Sequence, residues 1–178
     1  MIQSITSQGL SYVIDKSAGN SACASLSIKC GTRAENDLPE GTAHFLEHCL
    51  FKGTTKRSAS SINSILDRLG GELNAYTTKE EIVLHATVLK EDIVKAISLL
   101  LEIGTQANFP EEEIEIEKGV VIDEIISYKD SPSEDIFDCF EKKFFNSHPL
   151  GRLTLGTEDS VKSTSRDDLI KYYKRYFK

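Results

Sequence analysis

The sequence has 178 residues, of which 39% are hydrophobic and 28% are charged, and its net charge is −7. This length suits one domain with a substantial core, and the composition excludes a disordered chain. An acidic chain without a basic run argues against nucleic acid and anionic membrane surfaces as partners. No apolar run reaches the roughly 18 to 20 residues that a membrane-spanning helix needs.

The cysteines and the first residues bear on the cellular compartment. The start, MIQSITSQGLSYVID, has neither the charged nor the apolar region of a secretory signal. The four cysteines lack the paired spacing of a metal site: Cys23, Cys30, Cys49 and Cys139. Reduced thiols are typical of the cytoplasm, so we expect a cytoplasmic protein.

The first predicted elements are two strands within residues 10–31. The second, SACASLSIKC, alternates with period 2, which predicts a sheet with one packed face that includes Cys30. SASSINSILDRLGG then predicts a helix that ends at a glycine pair. GELNAYT and EIVLHATVL are strand-like runs joined by TKE, which predicts a hairpin.

Helices are predicted for most of the remaining chain. LKEDIVKAISLLLEIG is amphipathic, and FPEEEIEIEKGVVIDEIISY has Pro110 and three glutamates at its start, where the helix dipole favours acids. The helix SPSEDIFDCFEKKFF has an apolar face that we expect to be buried: Ile136, Phe137, Phe140 and Phe144. SRDDLIKYYKRYF is the last helix. This order predicts an α+β fold, a mainly antiparallel sheet with helices packed on one side.

The stretch GTAHFLEHCLFKGT is otherwise mainly apolar and helical in pattern, but it contains two histidines and a glutamate within five consecutive positions. Each helical residue turns by about 100°, which places His48 about 40° and Glu47 about 300° from His44. The three side chains therefore project from one side. Two imidazoles one turn apart can hold one Zn²⁺, with a carboxylate beside them to act on water, as in H-x-x-E-H metalloproteases.

Ordinary polar positions are the alternative interpretation of this stretch. A lone histidine on an apolar face is usually structural, but a pair with a glutamate at this spacing favours a metal site. A catalytic zinc site needs a third protein ligand. Glu117 and Glu124 lie seven residues apart on one face of a later helix, outside the first turn. Their spacing alone leaves a solvated helix face equally open.

HFLEH followed by FKGT resembles the zinc helix of the pitrilysin family of zinc peptidases, which includes insulin-degrading enzyme and the mitochondrial processing peptidase. The resemblance implies that His44 and His48 are zinc ligands and that Glu47 is the catalytic base. In that family a third, glutamate ligand follows by about 76 positions, and Glu124 stands at that distance from His48. A supporting glutamate seven residues earlier corresponds to Glu117.

Two later stretches extend the resemblance over essentially the whole chain. GGELNAYTTKEE resembles the family's substrate-binding strand and implies peptide contacts at Asn74, Ala75 and Tyr76. HPLG, residues 148–151, resembles a later landmark. Cys49 departs from the bulkier apolar residue expected after the second histidine, but it points away from the metal side. The implied function is zinc-dependent endopeptidase cleavage of peptides or unfolded polypeptides.

Active members of that family resemble a clam built from two related halves, with the zinc in the first domain. By this resemblance, residues 1–178 form a single N-terminal zinc-binding peptidase domain that ends before its last strand and lacks the downstream half. We expect activity to need that half, on the same chain or as a partner subunit. The exposed sheet edge and apolar surface would favour self-association into a homo-oligomer.

Two other functions compete with this one. The chain could be a non-catalytic zinc-binding half, although scaffold members of the family generally lack intact zinc residues. S-Ribosylhomocysteine lyase has a histidine pair of the same spacing but uses a cysteine as its third ligand. The one cysteine well downstream is Cys139, opposite the phenylalanine face of its predicted helix, so Glu124 fits better.

Overall fold

The computed structural model describes residues 2–7, 10–16 and 18–177. The strands are β1 (Ile2–Ser7), β2 (Leu10–Asp15), β3 (Ser21–Ile28), β4 (Glu72–Thr77) and β5 (Ile82–Leu89). The helices are α1 (Thr42–Leu50), α2 (Ala59–Leu69), α3 (Ile93–Gln106), α4 (Glu111–Lys129), α5 (Pro132–Phe145), α6 (Glu158–Ser163) and α7 (Arg166–Tyr176). Within the described ranges, no helix is long and apolar enough to cross a membrane.

The main sheet is antiparallel, in the strand order β3-β5-β4, and β1 pairs with β2 in a separate two-stranded sheet. The predicted hairpin is confirmed as β4 and β5. Leu26, Leu84 and Ala75 share one row of the core-facing side. Helix α3 covers this side so closely that a Cβ on Gly104 would lie 2.7 Å from Leu26. The predicted α+β fold with helices on one side is confirmed.

Helix α1 lies at the centre of the domain. It packs against β4, α4 and α7, and Phe45, Leu46 and Cys49 are completely buried. Cys49 therefore points into the core, as expected. Cys30 is also buried, and the four cysteines are free thiols. Burial of one side of α1 holds the opposite side at a fixed position.

The expectation that the apolar face of helix α5 is buried is wrong. Four large residues of this face are 60–68% exposed: Ile136, Phe137, Phe140 and Phe144. Another side of the helix contacts the domain through a Glu141 to Lys79 ion pair of 3.0 Å and through Phe145, whose ring lies 6.2 Å from that of His148. None of the helix's described residues is buried. An amphipathic pattern separates two faces, but it does not say which face meets the rest of the domain.

We expect the 178-residue chain to self-associate through this apolar face, because contiguous apolar patches of this kind are rarely left in water. Phe137→Ser combined with Phe140→Ser should shift the sedimentation coefficient at micromolar concentration towards that of a monomer. Val94→Ser is the control, because Val94 is 70% exposed on α3. A wild-type chain that is monomeric at every concentration, or an equal effect of the control, would contradict the prediction.

Candidate functional site

A glycine positions the start of α1. Gly41 has φ of +84°, and a Cβ there would lie 2.5 Å from the carbonyl oxygen of Leu155. Both the left-handed backbone and this close approach require glycine. The helix therefore begins against the segment that contains Leu155, and the side that carries His44, Glu47 and His48 faces a cleft.

The cleft encloses about 500 Å³. Helix α1 contributes His44, Glu47 and His48, and helix α4 contributes two carboxylates from the other side. The complete lining is His44, Glu47, His48, Phe51, Lys52, Asn74, Ala75, Tyr76, Thr77, Glu117, Glu124, Thr154 and Leu155. The structure thus brings together every site residue that the sequence predicted.

Three ligand atoms form a nearly regular triangle in this cleft. The Nε2 atoms of His44 and His48 are 3.2 Å apart. Glu124 Oε2 lies 3.5 Å from the first and 3.3 Å from the second. A tetrahedral ion with bonds of about 2.1 Å separates its ligand atoms by about 3.4 Å. The three residues therefore fit a metal ion that takes two imidazole nitrogens and a carboxylate oxygen.

The electrostatics of these groups suit a cation. Burial lowers the pKa of His44 to about 4, and the neighbouring His48 acts in the same direction, so His44 is neutral near pH 7. Burial also opposes the charge on His48, but its hydrogen bond with Glu124 and the surrounding carboxylates outweigh burial and raise its pKa. Hydrogen bonding from His48 in turn lowers the pKa of Glu124, which stays ionised.

Glu47 lies beside the triangle and is 8% exposed. Burial raises its pKa against the opposing effect of a hydrogen bond from Thr77. The Thr77 hydroxyl donates to Glu47 Oε2 at 2.7 Å. Sequence reasoning missed Thr77, because one threonine in a strand gives no distinctive signal. A buried carboxylate with a raised pKa is suited to exchanging protons with a bound molecule.

Glu117 is buried behind His48. Its Oε1 lies 3.8 Å from His48 Nδ1, and its carboxylate forms an ion pair with Lys52. Lys52 was not predicted as a site residue, although it lies in the FKGT stretch that directly follows α1. Among the described residues, the buried Nδ1 of His44 has no hydrogen-bond partner. The two histidines therefore differ in how their rings are held.

Strand β4 forms another wall of the cleft, and no described strand pairs with its outer edge. Asn74, Ala75 and Tyr76 line the cleft, and the amide of Ala75 donates to Asn74 Oδ1 at 2.9 Å. Tyr76 is 47% exposed. Cys139 lies on α5, outside the lining residues, so the structure does not favour a cysteine as third ligand.

The family model "Insulinase (Peptidase family M16)" matches residues 12–158. The chain belongs to peptidase family M16. The resemblance to the pitrilysin-type zinc peptidases is thereby confirmed, because the match covers both the α1 motif and the two glutamates of α4.

Curated M16 relatives are zinc proteases and processing peptidases. The chain is 37% identical over 167 residues to the mitochondrial-processing peptidase subunit beta of Rattus norvegicus, covering 93% of this chain and 34% of that protein. It is 35% identical over 179 residues to the uncharacterised zinc protease YmxG of Bacillus subtilis, covering 99% of this chain and 44% of that protein. The chain thus spans less than half the length of these relatives.

A solved structure extends the comparison to the fold. The crystal structure of a protease from Helicobacter pylori matches with a TM-score of 0.90 and 25% sequence identity. The match covers all of this chain and 44% of that protein. The chain therefore corresponds to less than half of that solved structure.

Proposed function

We propose that the chain is the zinc-binding, catalytic part of an M16 endopeptidase that cleaves peptides or unfolded polypeptides. The observation that carries the proposal is the triangle formed by His44, His48 and Glu124 beside the buried carboxylate of Glu47. Zinc is the metal that suits two imidazoles and one carboxylate with an open position. When bound, zinc supplies Lewis-acid polarisation of a carbonyl and lowers the pKa of water.

Glu47 is the proposed general base. Thr77 holds one of its carboxylate oxygens, which leaves the other for proton transfer. The carboxylate accepts a proton from the attacking water and delivers it to the leaving amine when the peptide bond breaks. Its raised pKa brings it closer to the working pH, where both protonation states are accessible.

The outer edge of β4 is the proposed binding site for the peptide. An extended peptide would add a strand there, with main-chain hydrogen bonds for affinity and side-chain pockets for preference. A peptide carbonyl at Ala75 would take the place of Asn74 Oδ1 as acceptor of the Ala75 amide. Tyr76, half exposed at this edge, supplies an aromatic contact.

Glu117 is proposed to hold the imidazole of His48 in orientation. It lies on the Nδ1 side of that ring, opposite the nitrogen that faces His44, and Lys52 balances its buried charge. Loss of such a supporting partner typically weakens metal affinity or activity about 10–100-fold.

We expect the 178-residue chain to bind zinc but to cleave peptides poorly. It spans 34–44% of the length of the two relatives named above, and we propose that the remaining part of such a protein closes the cleft from the far side. Orientation of substrate and exclusion of water would be lost together. Adding the downstream half found in the relatives, in cis or in trans, should restore chelator-sensitive cleavage of a mixed peptide library. Robust cleavage by the isolated chain would contradict the need for that half, and inactivity of the completed assembly would contradict the proposed function.

A further inference from the structure

We propose that Glu35 and Arg152 are positioning residues that fix helix α1 relative to two other walls of the cleft. The inference rests on the proposed function, but the contacts that support it lie outside the metal triangle. Neither residue lines the cleft. Each acts through the segments that it joins.

Glu35 supplies the cap that α1 otherwise lacks. The residue is completely buried, and its Oε1 accepts the amide of Ala43 at 3.0 Å. Gly41, at the start of α1, provides no side-chain hydrogen bond. A carboxylate at this end of a helix satisfies a free amide and interacts favourably with the helix dipole. Since Ala43 directly precedes His44, the contact fixes the turn that carries the first proposed ligand.

Arg152 holds Glu35 and the chain that leads into α1. Its Nε donates to Glu35 Oε2 at 2.8 Å. Its Nη1 donates to the carbonyl of Asn36 at 3.2 Å, and its Nη2 donates to the carbonyl of Leu38 at 2.7 Å. Three directed donors on one planar group form a fork that a lysine cannot reproduce.

The same arginine lies where two other walls of the cleft meet. Its carbonyl accepts a hydrogen bond of 2.5 Å from Lys79, which follows β4. The next amide, of Leu153, donates to Glu40 at 2.7 Å, and Thr154 and Leu155 then line the cleft. Displacement of Arg152 would therefore change the position of α1 relative to the β4 edge and to the Thr154–Leu155 wall.

Burial offsets part of the stabilisation that Glu35 gives to the start of α1. Burial raises the pKa of Glu35 to about 7, against the hydrogen bond from Ala43 and the charge of Arg152, so the environment disfavours the ionised form. Replacing a buried ion pair by apolar residues of similar volume is often neutral or stabilising. An apolar pair could provide similar stability, but it could not form the directed hydrogen bonds that Glu35 and Arg152 form.

The test uses Arg152→Lys and Arg152→Met in the 178-residue chain, with Arg33→Lys as the control because Arg33 forms an exposed ion pair with Glu80. Two properties are measured: the absorption spectrum and affinity of bound Co²⁺, and amide exchange of Ala43 and Leu153 in the metal-free chain. Both Arg152 variants should weaken Co²⁺ binding about 10-fold or more, shift the visible bands, and accelerate exchange at both amides. Arg33→Lys should change neither property.

Wild-type exchange at Ala43 and Leu153 in a folded Arg152→Lys chain would overturn the inference, even if Arg152→Met fails to fold. A normal Co²⁺ spectrum and affinity in that variant would overturn it as well. The exchange measurement needs no metal, so it separates the two proposals. If the wild-type chain bound no metal but the Arg152 variants still exchanged faster at both amides, the proposed function would fail while the positioning contacts would stand.

Discussion

Glu47→Gln is expected to abolish peptide cleavage in the completed assembly while zinc stays bound. An amide of the same shape cannot accept the proton of the attacking water, and loss of general acid–base catalysis lowers rates about 10²–10⁴-fold. Because Glu47 is not one of the three atoms of the metal triangle, the zinc content should stay at the wild-type value. Turnover of a fluorogenic peptide and metal analysis on the same sample measure both quantities.

Glu80→Gln is the matched control for this experiment, because it makes the same chemical change in an exposed side chain outside the cleft. It should leave turnover within about twofold of wild type, since surface substitutions rarely disturb a distant site. Cleavage by Glu47→Gln at the wild-type rate would show that another group is the base.

Removing any one proposed ligand should lower zinc content sharply. A site with three protein ligands has no spare ligand, so His44→Ala, His48→Ala and Glu124→Ala should each bind zinc at least about 100-fold more weakly. His85→Ala is the control, because His85 lies on β5 outside the cleft lining. Competition titration with a chromophoric chelator gives the affinities. Full zinc occupancy in Glu124→Ala would exclude this glutamate as the third ligand.

The local part of the site could be predicted from the sequence because helical geometry alone decides it. His44, Glu47 and His48 lie within five positions, so a rotation of about 100° per residue places them on one side of any helix. The alternation of β3 and the turn between β4 and β5 are decided locally in the same way. These predictions needed no knowledge of how the elements pack.

The long-range part could not be predicted from spacing. Glu117 and Glu124 reach the histidines because α4 packs on α1, and helical periodicity left a solvated face equally open for them. Only the resemblance to a peptidase family points to these two glutamates. The packing of α5 is a second feature that sequence periodicity does not predict. Its amphipathic pattern predicts the helix correctly, but the face expected to be buried is the one exposed to water.

Several residues that support the site gave no sequence signal at all. Thr77 lies in GELNAYT and Lys52 in FKGT, but nothing in the sequence distinguishes their side chains from those of their neighbours. Glu35 and Arg152 are 117 positions apart, and a single glutamate and a single arginine at that distance carry no pattern. Their pairing follows only from the close approach of the backbones around Gly41 and Gly156.

X-ray absorption at the zinc K-edge of the zinc-loaded 178-residue chain would identify the metal ligands directly. If His44, His48 and Glu124 bind the metal, the spectrum should show only nitrogen and oxygen neighbours at about 2.0–2.1 Å, with the outer-shell scattering of two imidazoles. His44→Ala should reduce that scattering to one imidazole or release the metal. A sulfur neighbour at about 2.3 Å, or a zinc without imidazole scattering, would contradict the assignment of His44, His48 and Glu124 as the ligands.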